Sequence, residues 1–245
     1  MSPTKNDFFI NVKDPIKHRF DKDGTAFEPE DLLDAAIQTN DTIGKLNVSF
    51  LKQANVELFD VIDKKQASAF VGAIFIRKVS DSIDYLGKNP SQTGHPDLVP
   101  AKYLKSKSEQ WKQTFWDQFP HGGVEVKASC GNLENGVTHE LPVGAQRMNN
   151  ITGVCWKGHH DKINNLLGLF WDFIEKSPKI LAAFYANDLV PSDFTNTVPR
   201  VGGGHTTNVC ITKASATKKL GKGWVFCIKE KKYSDFFSHK FQVKF

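Results

Sequence analysis

The chain contains no long hydrophobic run and only four cysteines, and these two features limit the classes of protein to which it can belong. No stretch approaches the roughly 18 uncharged apolar residues that a membrane-spanning helix requires. The N-terminal segment, residues 1–7, has no apolar region of the kind that marks secreted proteins, so we expect a cytoplasmic protein with no membrane partner. The four cysteines show no Cys-x-x-Cys spacing, which predicts free thiols in a reducing compartment.

The patterns of nucleotide-binding loops and zinc sites are also missing. The run 202–204 is Gly-Gly-Gly, but no Gly-Lys-Ser/Thr follows it, so we expect no nucleotide cofactor. Cys155, His159 and His160 do not have the spacing of a common zinc site. No internal repeat, low-complexity tract or long linker interrupts the chain. Its 245 residues, 40% of them hydrophobic, are enough for one sizeable core.

Positive charge is concentrated near the C-terminus. The net charge of the chain is +5, whereas residues 200–245 alone carry +8 and the other 199 residues carry −3. A basic segment on a near-neutral body suits a DNA phosphate backbone, and the alternative is a solvated charged surface. The lysines expected to contact DNA flank a predicted turn between strands at 208–212 and 224–229: Lys213, Lys218, Lys219 and Lys222.

Hydrophobic periodicity predicts helices in the first half of the chain and mostly strands in the second. A proline followed by acids predicts a short helix that begins at Pro29. Further helices are predicted within 48–86 and over 109–119, and further strands at 152–157, 166–174 and 179–186. The turn at 175–178 would join the last two strands as a hairpin. The fold class predicted from this order is α/β, one domain over 1–245 with a central mixed sheet flanked by helices and with 1–45 as an N-terminal extension.

The most informative stretch is 124–127, Val-Glu-Val-Lys, in which apolar and charged residues alternate. In a strand this alternation places Glu125 and Lys127 on the same side, about 7 Å apart. An acid and a lysine held in this way suit a site where a divalent metal and a phosphate meet. Asp97 is a candidate for a second carboxylate, and such oxygen ligands suit Mg²⁺. The alternative is an exposed strand that alternates Glu and Lys without any such role.

Pro96-Asp97 and Glu125-Val126-Lys127 together form the pattern P-D-(x)27-E-x-K. This pattern resembles the PD-(D/E)xK nucleases, the superfamily that contains most type II restriction endonucleases. The runs 164–173, 183–185 and 202–207 are also similar to bacterial restriction endonucleases, so the resemblance covers roughly residues 90–230.

The resemblance implies a restriction-endonuclease-like fold and a Mg²⁺-dependent endonuclease that cuts double-stranded DNA at a specific sequence. It also implies a homodimer, whose symmetry would match that of its site. One alternative is a structure-specific repair or recombination nuclease with the same metal site. Another is a non-catalytic DNA-binding protein of the same fold, although such a protein would not need these charged residues.

The resemblance also implies a role for each residue of the motif. Asp97, Glu125 and the carbonyl of Val126 would hold the metal. Lys127 would orient the attacking water and stabilise the developing charge, unless it is only a salt-bridge partner of Glu125. In the family, the first acid lies on a strand that pairs with the E-x-K strand, whereas a predicted helix intervenes here. Asp117 is the alternative acid, but the aromatic spacing places it on that helix, so we favour Asp97.

Further functional residues are expected outside the motif. The helix before the first catalytic carboxylate often supplies another acid in this family, and here Glu57 is favoured over Asp60 and Asp63. Lys157 and Lys162 are expected to contact DNA from a segment between the E-x-K strand and the predicted hairpin. The glycine run at 202–204 either connects two strands or approaches DNA closely. In the second case its neighbours would contact phosphates or base edges: His205, Thr206, Thr207 and Asn208.

Overall fold

The structure, a computed structural model, describes residues 3–12, 15–105, 113–133, 151–159, 162, 164–196 and 210–245. The α-helices within these ranges are α1 (Pro29–Ala54), α2 (Leu58–Val61), α3 (Lys64–Ser82), α4 (Ala101–Lys105), α5 (Gln113–Asp117), α6 (Ala214–Lys222) and α7 (Lys231–Phe241). The strands are β1 (Phe8–Ile10), β2 (Leu86–Lys88), β3 (Leu98–Pro100), β4 (Glu125–Ser129), β5 (Asn132–Leu133), β6 (Ile151–Gly153), β7 (Lys157–Gly158), β8 (Leu166–Ile174), β9 (Ser177–Ala186), β10 (Cys210–Ile211) and β11 (Trp224–Ile228). None of the described helices is long and apolar enough to cross a bilayer.

A five-stranded mixed sheet forms the centre of the molecule, in the order β1-β11-β9-β8-β4. β4 pairs with β8 in parallel, and the other neighbours are antiparallel. The predicted hairpin of β8 and β9 is confirmed. Its two turn residues, Glu175 and Lys176, have φ values of 50° and 62°, as a two-residue turn with left-handed backbone requires. β4 therefore lies at one edge of the sheet, directly beside a long buried hairpin.

Helices cover both faces of this sheet because neighbouring residues of each strand point to opposite faces. On β9, the ring of Phe184 lies 5.3 Å from that of Phe237 on α7. The next residue, Tyr185, packs against Phe27 at 4.8 Å, just before α1 begins. On β8, the indole of Trp171 donates a hydrogen bond to the Ser68 hydroxyl on α3. The predicted class, α/β with a central mixed sheet flanked by helices, is confirmed.

The first part of the chain contributes directly to this arrangement. α1 runs for 26 residues, much longer than the short helix predicted at Pro29, and buries Leu33, Ala36 and Ile43 along one side. β1 pairs with β11 at the edge of the sheet opposite β4. Residues within 1–45, predicted as an extension, thus supply a strand and part of the core.

The second half of the chain was predicted to be mostly strand, but it also contains the helices α6 and α7. The turn predicted around residues 213–223 is wrong, because helix α6 occupies this segment. Its Ala216, Leu220 and Gly221 lie on one buried face, so a helix can bury these residues together. α7 follows the same rule with Tyr233, Phe237 and Phe241, each one helical turn after the last.

The remaining differences concern shorter elements. The strand predicted at 152–157 is replaced by two separate short strands, β6 and β7, which pair with β5 and β10 respectively. Of the helix predicted over 109–119, the structure contains α5, and residues 106–112 lie outside the described ranges. The strand predicted at 208–212 corresponds to β10, with residues 208 and 209 outside those ranges.

Candidate active site

The predicted E-x-K segment forms β4, whose backbone has one paired side and one free side. The amide of Glu125 donates to the carbonyl of Asn165, 3.0 Å away, and therefore faces β8. The amide of Val126 points the opposite way, to the free edge, and donates to Oδ2 of Asp97 at 2.8 Å. Because the N–H and C=O of one strand residue point to the same edge, the Val126 carbonyl also faces that free edge.

Asp97 reaches β4 through backbone pairing of the residue that follows it. The amide of Leu98 donates to the carbonyl of Val124 at 3.0 Å, and the amide of Val124 donates back at 2.9 Å. Gly123 allows this close approach, because a Cβ there would lie 2.4 Å from the Leu98 carbonyl and its φ is +119°. The acid therefore lies beside the E-x-K strand although helices α4 and α5 separate the two in the chain.

The structure brings the three charged residues of the motif together. Nζ of Lys127 lies 2.5 Å from Oε1 of Glu125 and 3.7 Å from Oδ2 of Asp97. The Glu125 side chain is only 1% exposed, whereas those of Asp97 and Lys127 are 28% and 30% exposed. This burial rules out a solvated surface strand with alternating Glu and Lys, the alternative left open by the sequence. The lysine thus contacts two carboxylates at the edge of the central sheet.

Burial and mutual charge perturb all three groups. Burial, followed by the charge of Glu125, raises the pKa of Asp97 to about 6. Burial also opposes the ionisation of Glu125, but His95 and the Lys127 ammonium outweigh it and hold the Glu125 pKa below its usual value. For Lys127, the two carboxylates overcome the effect of burial and raise its pKa. At neutral pH the Glu125 carboxylate is therefore ionised, whereas the Asp97 carboxylate takes up a proton as the pH falls through about 6.

His95 is a site residue that the sequence analysis did not identify. Its Nδ1 lies 3.4 Å from both oxygens of the Glu125 carboxylate. Its ring also contacts that of His159, with centroids 4.7 Å apart, and burial together with the charge of His95 lowers the pKa of His159. The backbone amide of His95 donates to the carbonyl of Asp117, which fixes the position of this histidine. Its place directly before Pro96-Asp97 was the available signal in the sequence.

Two of the alternative acids have other side-chain partners. Oδ1 of Asp117 accepts a 2.6 Å hydrogen bond from Ser91, at the C-terminal end of α5. Glu57 pairs with Lys176, at 2.8 Å, in the turn between β8 and β9. That turn follows the end of β8 distant from Glu125, which pairs with Leu166 at the start of the strand, about 26 Å away along it. The structure therefore does not bring Glu57 to the Asp97–Glu125–Lys127 cluster.

The lysines predicted to contact DNA are dispersed. Lys157 lies on β7 and lines a groove beside β4, whereas Lys162 lines a cavity of about 440 Å³ next to Glu125. Lys219 is held by the buried Asp193 at 2.7 Å, and Lys213 donates to the carbonyl of Ser192.

Two lysines of this set, Lys218 and Lys222, are exposed on α6. Their contact with DNA, and that of Lys213 and Lys219, stays a prediction. The predicted loop residues lie outside the described ranges: His205, Thr206, Thr207 and Asn208.

The donor set of the motif suits a hard divalent cation. It consists of the carboxylates of Asp97 and Glu125 and the free-edge carbonyl of Val126, all of them oxygens. Mg²⁺ usually takes one or two protein carboxylates and completes its shell with water and phosphate oxygens. Within the described ranges, no group of three or more His, Cys, Asp or Glu side chains has a metal-binding arrangement. Burial, followed by the negative charge of Glu125, raises the pKa of Asp97, and a bound divalent cation would offset the repulsion between the two carboxylates.

Comparisons with protein-family models, curated proteins and solved structures found no match to this chain.

Proposed function

We propose that this chain is a Mg²⁺-dependent endonuclease that hydrolyses double-stranded DNA at a specific sequence, a type II restriction enzyme that acts as a homodimer. The observation that carries the proposal is the cluster of Asp97, Glu125 and Lys127 at the free edge of β4. The mixed sheet, with the E-x-K strand at its edge and the first acid delivered by a neighbouring strand, supports a restriction-endonuclease-like fold.

The residues of the site have complementary tasks in phosphodiester hydrolysis. Mg²⁺ held by Asp97, Glu125 and the Val126 carbonyl would supply positive charge at the scissile phosphate. The Lys127 ammonium, a compact cation with three donors, orients the attacking water and stabilises the negative charge that develops on the phosphate. His95, with its Nδ1 3.4 Å from both carboxylate oxygens, is a second partner of Glu125 beside the lysine. Because Glu125 is buried, its orientation is fixed before any ligand binds.

The proposal is tested by incubating the protein with unmethylated phage DNA and Mg²⁺ and sequencing the ends produced. Glu125→Ala and Lys127→Ala should each reduce cleavage by about 10²-fold to 10³-fold or more, because each removes a group that acts on the transition state. Both variants should retain their fold and bind DNA in Ca²⁺, which prevents cleavage.

A matched control is available at Glu230 and Lys232, an ion pair of the same spacing with an Nζ–Oε1 distance of 3.0 Å at the surface. Glu230→Ala and Lys232→Ala should leave cleavage unchanged. Near-normal cleavage by Glu125→Ala or Lys127→Ala would remove that residue from the mechanism. Fragment ends without a common sequence would contradict the proposed sequence specificity.

A further inference from the structure

A groove with a volume of about 570 Å³ runs along the free edge of β4. The first turns of α3 form one wall, where Lys64 and Lys65 lie. Residues 155–157 form the opposite wall, and β4 forms the floor, from which Lys127 projects. We call this feature the α3–β4 groove. It leads directly to the carboxylate of Asp97, which also lines it.

The charged residues that line the α3–β4 groove are mostly cations. Four lysines line it, Lys64, Lys65, Lys127 and Lys157, whereas Asp97 is the one acid among the described lining residues. Lys127 is already bound by the carboxylates of the site. Lys65 and Lys157 are exposed, and among the described residues no hydrogen bond or ion pair involves either ammonium. Two cations on facing walls are thus open to an anionic ligand.

The stability of α3 does not explain its two lysines. Lys64 and Lys65 occupy the first turn, directly after the capping residue Asp63. The helix dipole disfavours cations there by about 0.3–1 kcal/mol each and favours acids, yet this first turn contains no acid. The positive charge is therefore placed where it costs helix stability and where it faces the groove.

The opposite wall, residues 155–157, is held in place by the packing of Trp156. The ring of Trp156, directly before Lys157, lies against Gly168 of β8, where a Cβ would come within 2.4 Å of the indole. The indole Nε1 of Trp156 donates to the carbonyl of Leu169 at 3.1 Å. Because Trp156 is fixed in the core, the backbone that carries Lys157 has a defined position beside the motif.

We propose that the α3–β4 groove holds the sugar–phosphate backbone of bound DNA, with Lys65 and Lys157 contacting phosphates from its two walls. The inference rests on the proposed function, because Asp97 and Lys127 of the proposed active site line the groove. It adds a DNA-contacting surface on α3, in the N-terminal half of the chain, where the sequence had shown no excess of positive charge. The ligand is recognised by charge, so these contacts act equally on cognate and non-cognate sequences.

The test is a salt titration of DNA binding by the double variant Lys65→Ala/Lys157→Ala, with a non-cognate 20-base-pair duplex in Ca²⁺. Each lost phosphate contact should make the slope of log affinity against log salt shallower by about 0.9, so the double variant should differ from wild type by about 1.8. The variant Lys65→Arg/Lys157→Arg should keep the wild-type slope, because it keeps both charges. Its normal slope would also show that the alanine effect is one of charge.

Lys45→Ala/Lys52→Ala is the matched control, since both lysines are exposed on α1 and neither lines the groove. This control should bind with the wild-type slope. If wild-type protein binds and cleaves DNA but Lys65→Ala/Lys157→Ala shows an unchanged slope, the groove proposal is overturned while the proposed function stands. If the wild-type protein does not bind DNA at all, the proposed function fails, and the groove proposal fails with it.

Discussion

The backbone amide of Val126 donates a 2.8 Å hydrogen bond to the side chain of Asp97. This contact occupies a donor at the free edge of the sheet, where an unpaired strand would otherwise offer its backbone to another chain. It also fixes the carboxylate of Asp97 beside Glu125, whose negative charge opposes the ionisation of Asp97. One hydrogen bond therefore both protects the edge of the sheet and assembles the two acids of the candidate metal site.

The first prediction separates Asp97 from Asp117. Asp97→Asn should abolish cleavage at low Mg²⁺ and weaken Mg²⁺ binding in calorimetry, because an amide is a poorer ligand than a carboxylate. Asp117→Asn should change neither quantity, since its Oδ1 can still accept the hydrogen bond from Ser91. In the wild type, Mg²⁺ binding should weaken as the pH falls through about 6, where protons begin to compete for Asp97. The reverse behaviour of the two variants would place the metal near α5.

The second prediction concerns His95, which helps to keep the Glu125 pKa low. His95→Ala should raise that pKa, so less of Glu125 is ionised in mildly acidic solution. The acidic limb of the cleavage profile should then move to higher pH, and Mg²⁺ affinity should fall by about 10-fold to 100-fold. His95→Gln should show a smaller pH shift and a smaller loss of Mg²⁺ affinity, because glutamine retains a hydrogen-bond donor. The exposed His239 on α7 supplies the control variant His239→Ala; identical profiles for all variants would show that His95 does not position Glu125.

The third prediction assigns Lys219 a structural role. Burial opposes the ionisation of Asp193, but hydrogen bonds from Lys219 and Ser215 outweigh it and hold the Asp193 pKa below its usual value. Lys219→Ala should therefore lower the free energy of unfolding by about 1–3 kcal/mol at pH 7. A depressed carboxyl pKa stabilises the fold above the unfolded value of 3.8 and ceases to do so as pH falls through the folded value.

The difference between wild type and Lys219→Ala should consequently shrink below about pH 3.8 in urea unfolding. Lys218→Ala, a change at an exposed neighbour, should remain within about 0.5 kcal/mol of wild type. Equal stability of Lys218→Ala and Lys219→Ala at pH 7 would contradict the structural role.

The fourth prediction compares two glycines. Gly168→Ala should destabilise the protein by about 1–3 kcal/mol and alter tryptophan fluorescence, because the new methyl group would collide with the ring of Trp156. Gly72→Ala on α3 should instead stabilise it by about 0.5–1 kcal/mol, since its Cβ would meet Ala128 at an ordinary 3.9 Å and the helix favours alanine. Thermal unfolding of both variants checks the pair. A stable Gly168→Ala would show that Trp156 is free to move.

The sequence by itself determined the elements whose causes are local. The alternation of apolar and charged residues around Glu125 and Lys127 predicted β4 and the shared side of the two charges. The long apolar runs on either side of Lys176 predicted the β8–β9 hairpin. The helical spacing of Tyr233, Phe237 and Phe241, which form the buried side of α7, is likewise a local feature of the sequence. In each case the periodicity of neighbouring side chains contains the information.

Tertiary structure alone decided which distant residues meet at β4. Asp97 reaches Val126, and His95 reaches Glu125, because Leu98 pairs with Val124 and the segment containing α5 loops away between them. Glu57, the additional acid favoured from the sequence, lies instead at the far end of β8. Such contacts depend on the path of the whole chain around the sheet, since pairing between strands is specified by register and packing and not by the identity of one charged residue.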